Sequence, residues 1–381
     1  MPDSSHPSGW VNRNYWLCIP AVYSVDKPAT LVFNFHGFYD TAKDERLEDR
    51  LAAYVNQWGR NVITVYPHGS GDSYSGDSRA WNVDGNGLNT ASGPLGPTCR
   101  TPRYRGDGWK DVYACYNSCR RSARGCDPHN GCNFASCMDD QAYVRAMLRT
   151  LSRKLCIDLD RVHATGISAG GLMVYQTVLD FSDVFASAAP VAGSRIFGFN
   201  RPPKHAISLL DIHGLDDTYV PANASNGFGG TPAGATLSHD RFLYHEVPHI
   251  TAAFARAATC DGGNAAFPTN FDGVREFACN RPHGGCAGGA SVVQCVGRWG
   301  HTWPLHNTHP FAYADLVLNF FDAHPKVRAK DGLAPAWLVA PLNETAEAPA
   351  ADVVQAWLAE EGGDAHAAGG PQKTSEDVMS W

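Results

Sequence analysis

The segment Gly166-Ile167-Ser168-Ala169-Gly170 constrains this chain more than any other. An apolar, strand-like run, Arg161-Val-His-Ala-Thr-Gly, leads into it. A helix-like run, Leu172-Met-Val-Tyr-Gln-Thr-Val-Leu179, leads out. A serine between glycines on a strand-to-helix turn reads as a nucleophile elbow. The turn is so tight that only the smallest residues fit on either side of the serine. Its hydroxyl is pushed out at the end of a sheet, where a carbonyl carbon and an imidazole can both reach it. The N–H of Ala169 opens the helix and is one expected oxyanion donor. The bland alternative is a Gly-rich turn, and the strand and helix context argues against it.

The downstream chain supplies partners in the order acid, then base. Ile207-Ser-Leu-Leu-Asp-Ile-His-Gly214 has a buried-strand pattern that ends in a turn. Asp216 and Asp217 follow, at the strand end that shares a rim with the elbow. Asp217 is the chosen acid and Asp216 the alternative. A later strand, 290–297, runs into Arg298-Trp-Gly-His301-Thr-Trp-Pro304. His301 stands where a general base belongs, and its position in chain order sets it apart from His239, His245, His249 and His283. Near the N-terminus, Ala29-Thr-Leu-Val-Phe-Asn-Phe-His36-Gly37-Phe38 is a strand ending in His-Gly. The loop after it is expected to give the second oxyanion N–H, from Phe38 or else from Tyr39. His36 precedes the turn and reads as a structural residue that holds the loop.

These motifs carry a family resemblance. The runs Asp139-Asp140-Gln-Ala-Tyr-Val-Arg145 and Asp158-Leu-Asp-Arg161 through Ser168-Ala-Gly-Gly-Leu-Met173 resemble the polyhydroxybutyrate depolymerase and feruloyl esterase group. Phe185-Ala-Ser-Ala-Ala-Pro-Val-Ala-Gly193, His213-Gly-Leu-Asp-Asp217 and Gly300-His-Thr-Trp-Pro304 match its later motifs in order. That group belongs to the carbohydrate-esterase branch of the α/β hydrolases. The resemblance covers about residues 14–325. It implies Ser168 as nucleophile, Asp217 as acid and His301 as base. It also implies that Trp81-Asn82 lines or supports the site, although Trp81 reads equally well as a core aromatic. Two departures bear on substrate choice. The segment from Cys99 to Cys137 is unlike anything in the usual bacterial relatives. Tannase-like feruloyl esterases place a cysteine beside both Ser and His, and here Ile167, Ala169, Gly300 and Thr302 stand in those places.

The wider pattern agrees with an α/β fold, a mostly parallel sheet with helices on both faces. Strands are expected at 30–36, 61–66, 161–167, 185–191, 207–213 and 291–297. Helices are expected at 44–58, 139–155, 170–181, 248–258 and 310–323. Residues 1–326 form one catalytic domain of the α/β-hydrolase class, interrupted by a Cys-rich insert at about 99–137. Residues 327–381 are rich in Ala, Gly, Pro and acids and are expected to be disordered. Within them, a run from Asp352 has the composition of one short helix.

Twelve cysteines are too many for a reduced cytosolic enzyme of this kind. Their even count and clustering read as disulfides whose pairing sequence alone does not give. A zinc site on Cys115, Cys119, Cys126, Cys132, Cys137 and His129 is the rival reading, and its spacings miss the paired C-x2-C pattern. No metal or cofactor is expected. The insert is polar and is expected to form a stapled loop at one wall of the site. Its basic run Arg120-Arg121-Ser-Ala-Arg124 could meet acidic polysaccharide, or be a solvated face. Two N-x-S/T sequons start at Asn223 and Asn343. No apolar h-region opens the chain, in conflict with the secreted setting that the cysteines imply.

Net charge is −7. Nine acidic residues and one Lys lie from Asp331 onward, which leaves the rest nearly neutral. A nucleic-acid partner is therefore not expected, and no run is long enough to cross a membrane. A monomer acting on an ester substrate is expected. Three functions compete: a secreted esterase for hydroxycinnamoyl esters of plant polysaccharide, a hydroxyalkanoate polyester depolymerase or acetylxylan-type esterase, and a non-catalytic binding scaffold. For the first, Tyr39, Trp81, Trp299 and Trp303 are the expected substrate-binding aromatics.

Overall fold

The computed structural model describes residues 13–70, 79–83, 136, 138–197, 200–223, 231, 233–239, 242–266, 277–304, 310–326, 334–339 and 379–380. The Cys-rich insert apart from Ser136, the zinc alternative, the Arg120–Arg124 run, the second sequon and the helix expected from Asp352 all lie outside these residues.

The central strands are apolar on both faces, as a parallel sheet covered by helices on both sides requires. In chain order the first six strands are β1 (Asn14–Cys18), β2 (Ala29–Phe35), β3 (Val62–Pro67), β4 (Ile157–Ile167), β5 (Ser187–Val191) and β6 (Ser208–Gly214). Further along the chain come β7 (Ala235–Leu237), β8 (Leu243–His245), β9 (Gly262–Ala266), β10 (Ala278–His283), β11 (Val292–Gly297) and β12 (Met379–Ser380). Ten of these form one sheet in the order β12-β1-β3-β2-β4-β5-β6-β11-β10-β9. The six strands from β3 to β11 are mutually parallel. β12 and β1 close one edge antiparallel, and β10 and β9 the other. β7 and β8 form a separate hairpin.

The helices are α1 (Ala42–Glu48), α2 (Leu51–Gln57), α3 (Asp140–Lys154), α4 (Ala169–Asp180), α5 (Val247–Ala257), α6 (Ala312–Ala323) and α7 (Ala336–Val339). α3, α4 and α5 bury Tyr143, Leu148, Met173, Val178, Ile250 and Phe254 on one face of the sheet. α2 and α6 bury Leu51, Val55, Tyr313, Val317 and Phe321 on the other. Asp139 caps α3 by accepting the Ala142 N–H at 2.9 Å, which explains the acidic pair at that start.

Two expectations change. The helix expected over 44–58 is two helices, broken at Arg50, which takes φ 57°. Asp49 makes the break favourable. Its buried carboxyl accepts the Leu51 N–H at 2.9 Å and the Tyr66 hydroxyl at 3.1 Å, and Asn34 also bonds to it. Burial pushes the Asp49 pKa up to about 8, so the group is a buried, hydrogen-bonded acid rather than a helix-surface charge. The tail from 327 is also not wholly unstructured. Leu338 in α7 is buried in the main core. Trp337 donates its indole N–H to Asp183 at 3.1 Å and lies under the Arg145 guanidinium at 4.3 Å. Apolar side chains at the helical spacing 334, 337 and 338 were hidden there by the acidic, Ala-rich surroundings.

Disulfides join Cys279 to Cys295, directly opposed on β10 and β11, and Cys260 to Cys286 beside the same edge. Cys18 and Cys156 are free thiols among the described residues. Replacing Trp337 by Ala is expected to lower the unfolding free energy by about 1–3 kcal/mol in denaturant titration. An unchanged midpoint would mean that α7 contributes nothing to the domain.

Candidate active site

The site forms where the sheet changes direction of winding. β2 is followed by β3 on one side, and the chain then crosses back to β4 on the other. Loops leaving the C-terminal ends of β2 and β4 therefore diverge, and a crevice opens between them. Residue 168 ends β4 in that crevice, and residues 36–39 end β2 beside it.

Glycines make this junction possible. A Cβ at Gly170 would lie 1.9 Å from the Phe35 carbonyl oxygen, and one at Gly166 would lie 2.5 Å from it. Any side chain would drive β4 and α4 off β2. Ser168 between them takes φ 57° and ψ −122°, a conformation that L-residues hold only when the surroundings enforce it. Its N–H is anchored to Val191 O at 3.0 Å and its carbonyl accepts the Leu172 N–H at 3.0 Å.

His301 bridges the two other elements. Its Nε2 lies 2.7 Å from Ser168 Oγ and its Nδ1 lies 2.8 Å from Asp217 Oδ2. The other carboxylate oxygen of Asp217 accepts the N–H groups of Tyr219 at 2.9 Å and Val220 at 3.0 Å. Asp217 is fully buried while His301 is 19% exposed. Asp216 points to solvent and donates its N–H to Trp299 O at 3.1 Å, so the structure brings Asp217, not its neighbour, to the imidazole. Gly214 opens this acid loop, because a Cβ there would meet Trp299 O at 2.2 Å.

The loop after β2 is held from beneath. His36 is fully buried. Its Nδ1 lies 2.7 Å from Gly37 O and its Nε2 accepts the Gly69 N–H at 2.8 Å. Those partners fix a neutral tautomer with the proton on Nδ1. Burial lowers its pKa to about 3. Trp81 donates its indole N–H to His36 O at 2.8 Å. Asn82 continues the clamp, donating its side-chain amide to Met138 O at 2.9 Å. Asp140 accepts the Asn82 N–H and pairs with Arg13 at 2.8 Å, so the start of α3 is tied to the same strip. Tyr39 turns away with φ 75° and gives its N–H to Arg79 O at 3.1 Å. The Tyr39 N–H is therefore committed to Arg79 O, which argues against Tyr39 as the oxyanion donor. Ala169 is the first residue of α4, where backbone N–H groups have no acceptor in their own helix.

The aromatic expectations need correcting. Trp81 is fully buried and Trp303 is 5% exposed, so neither presents a face to a substrate. Trp81 supports the His36 loop, and Trp303 packs on Tyr313 at 4.6 Å. Trp299 is half-buried against Phe277 at 5.3 Å. Tyr39 is 64% exposed and remains on the rim. Sequence reasoning missed Tyr219, which is 48% exposed with its ring centroid 5.5 Å from that of His301. It also missed a buried set behind the acid loop. Tyr175 donates its hydroxyl to Asp211 at 2.7 Å, and Asp211 lies 2.9 Å from His213 Nδ1. Burial alone would lower the His213 pKa, but the Asp211 carboxylate and then Asp217 outweigh it and the net shift is upward. The signal was available, since charged residues in the apolar run 207–213 must find partners.

The prolyl oligopeptidase family pattern matches residues 133–195, which include the elbow. Feruloyl esterase B of Piromyces equi is 30% identical over 89 residues, covering 22% of this chain and 17% of that protein. Feruloyl esterase C of Emericella nidulans is 24% identical over 133 residues, covering 35% of this chain and 47% of that protein. Over those partial stretches the chain is similar to carbohydrate esterases. It spans less than half the length of these two relatives. Among solved structures, an acetyl xylan esterase from Aspergillus awamori aligns over 79% of this chain and 93% of its own, with a TM-score of 0.42 and 16% identity.

The His36 arrangement sets an acid-side stability term. An unfolded histidine takes its proton near pH 6.5, whereas His36 in the fold resists it down to about pH 3. Its contribution is therefore complete above about pH 6.5 and is lost as pH falls from there toward 3. In urea titrations, His36→Gln is expected to be less stable than wild type at pH 7, with the gap closing by pH 4. Parallel stability curves for the two proteins would contradict a neutral buried His36.

Proposed function

We propose that this hydrolase is a serine carboxylic-ester hydrolase with Ser168 as nucleophile, His301 as general base and Asp217 as the orienting acid. The observation that carries the proposal is the double contact of His301, with Ser168 Oγ at one nitrogen and Asp217 Oδ2 at the other. His301 takes the hydroxyl proton as Ser168 attacks the ester carbonyl carbon. Asp217 keeps the proton on Nδ1 before the attack and stabilises the imidazolium after it. The N–H groups of Phe38 and Ala169 take up the charge that develops on the carbonyl oxygen. The tetrahedral adduct collapses, His301 returns its proton to the leaving alcohol, and an acyl-serine remains. Water then repeats the attack with His301 again as base, which releases the acid and restores Ser168.

The substrate reading is a hydroxycinnamoyl ester of plant polysaccharide. The two relatives named feruloyl esterases support it, as does an aromatic rim at Tyr39 and Tyr219. Action outside the cell is supported by the Cys260–Cys286 and Cys279–Cys295 disulfides. No helix among the described residues is long and apolar enough to cross a membrane.

The test compares wild type, Ser168→Ala and Asp217→Asn on methyl ferulate, p-nitrophenyl acetate and emulsified polyhydroxybutyrate. Ferulate release by the wild type is expected, with kcat lower by about 10^4-fold or more in each variant. Polyester clearing without ferulate release would move the assignment to a depolymerase. Cleavage of the acetate alone would move it to an acetyl esterase. Turnover that survives Ser168→Ala would overturn the nucleophile.

A further inference from the structure

The chemistry at His301 dictates where the alcohol half of an ester must lie, and this step rests on the ester-hydrolase reading above. The leaving oxygen receives its proton from Nε2, so it departs within hydrogen-bond reach of that atom. Whatever is attached to that oxygen therefore leaves beside the imidazole ring, and a side chain packed on that ring is placed to meet it.

Tyr219 occupies the loop that follows the acid. Its ring centroid lies 5.5 Å from that of His301 on one side and 5.9 Å from that of His239 on the other. Nearly half of the side chain is open to solvent. Its backbone is fixed rather than loose, because its N–H donates to Asp217 Oδ1 at 2.9 Å. The neighbouring Thr218 carbonyl accepts the His239 N–H at 2.7 Å, which ties in the segment on the far side. The carboxylate that orients the base thus also orients an exposed aromatic ring beside it. A large exposed aromatic at fixed height next to a reaction centre fits a flat apolar face of a ligand, while its hydroxyl stays wet. The C–H face of a sugar ring has that character. A methyl alcohol is too small to reach it. Trp81 and Trp303 do not compete for this role, since both are buried.

We propose that Tyr219 is the platform for the sugar ring on the alcohol side of the scissile ester, and so sets preference for glycosyl over simple alkyl esters.

The test measures kcat/KM of wild type, Tyr219→Ala and Tyr219→Phe on methyl ferulate and on a feruloylated arabinoxylan oligosaccharide. The ratio of oligosaccharide to methyl ester is expected to fall about tenfold in Tyr219→Ala, the equivalent of one modest ring contact. Tyr219→Phe keeps the ring and is expected to keep the ratio within about twofold of wild type. Equal losses on both esters would overturn the subsite and leave Tyr219 as packing for His301. An unchanged ratio in Tyr219→Ala would overturn it as well. Those two results leave the reaction standing, whereas a wild type that cleaves neither ester overturns the reaction reading and the subsite together.

Discussion

The closeness of β4 and α4 to the end of β2 governs the rest of the molecule. With Gly166 and Gly170 both against the Phe35 carbonyl, the backbone of the elbow rests directly on the neighbouring strand. That contact leaves no room for the turn to relax, and so Ser168 stays at φ 57°. It also fixes the distance between the serine and the loop 36–39, because both strands are in register through Phe35 and Gly166. Ser168 and the loop 36–39 therefore gain their relative geometry from this one junction. The strain at Ser168 is held by sheet hydrogen bonds and core packing on either side, not by local turn chemistry.

Around that junction the protein buries polar groups in pairs or chains, each with a supporting task. His36 and Trp81 hold the loop after β2, and the Arg13–Asp140 pair fastens the start of α3 to the same strip. Tyr175, Asp211 and His213 stand behind the acid loop. The raised proton affinity of His213 comes from two carboxylates, Asp211 and Asp217. Single substitutions in these sets leave a partner unsatisfied in a dry interior, which costs more than the bond itself.

The parallel core was legible because buried strands write themselves as apolar runs bounded by turns. The strands expected at 30–36, 61–66, 161–167, 207–213 and 291–297 each lie within a few residues of the observed ones. The antiparallel edge strands β1, β9 and β10 were not legible. Their alternation is interrupted, and their register depends on partners such as the Cys279–Cys295 bridge that sequence does not pair. The split of 44–58 into α1 and α2 was hidden because Asp49 looks like an exposed helix residue until Asn34 and Tyr66 are placed around it. Ser168, Asp217 and His301 could be listed in chain order, since each follows a strand that ends on the same rim. Their mutual distances come only from the sheet order, in which β5 alone separates β4 from β6 and β11 lies next to β6.

Proximity in sequence proved a poor guide to which aromatics face a substrate. Trp303 lies two residues from His301 and Trp81 belongs to a motif beside the site, yet both rings point into the core. The reason is size against support: a loop carrying a charged or nucleophilic group must be braced, and a buried indole braces more surface than any other side chain. The rings left at the surface are tyrosines, Tyr39 and Tyr219, whose hydroxyls tolerate water. Tyr39 directly follows Phe38, and Tyr219 stands two residues after Asp217. The Tyr219 N–H bond to Asp217 Oδ1 therefore ties the backbone of that ring to the carboxylate that meets His301, whereas the Tyr39 backbone is tied to Arg79 O instead.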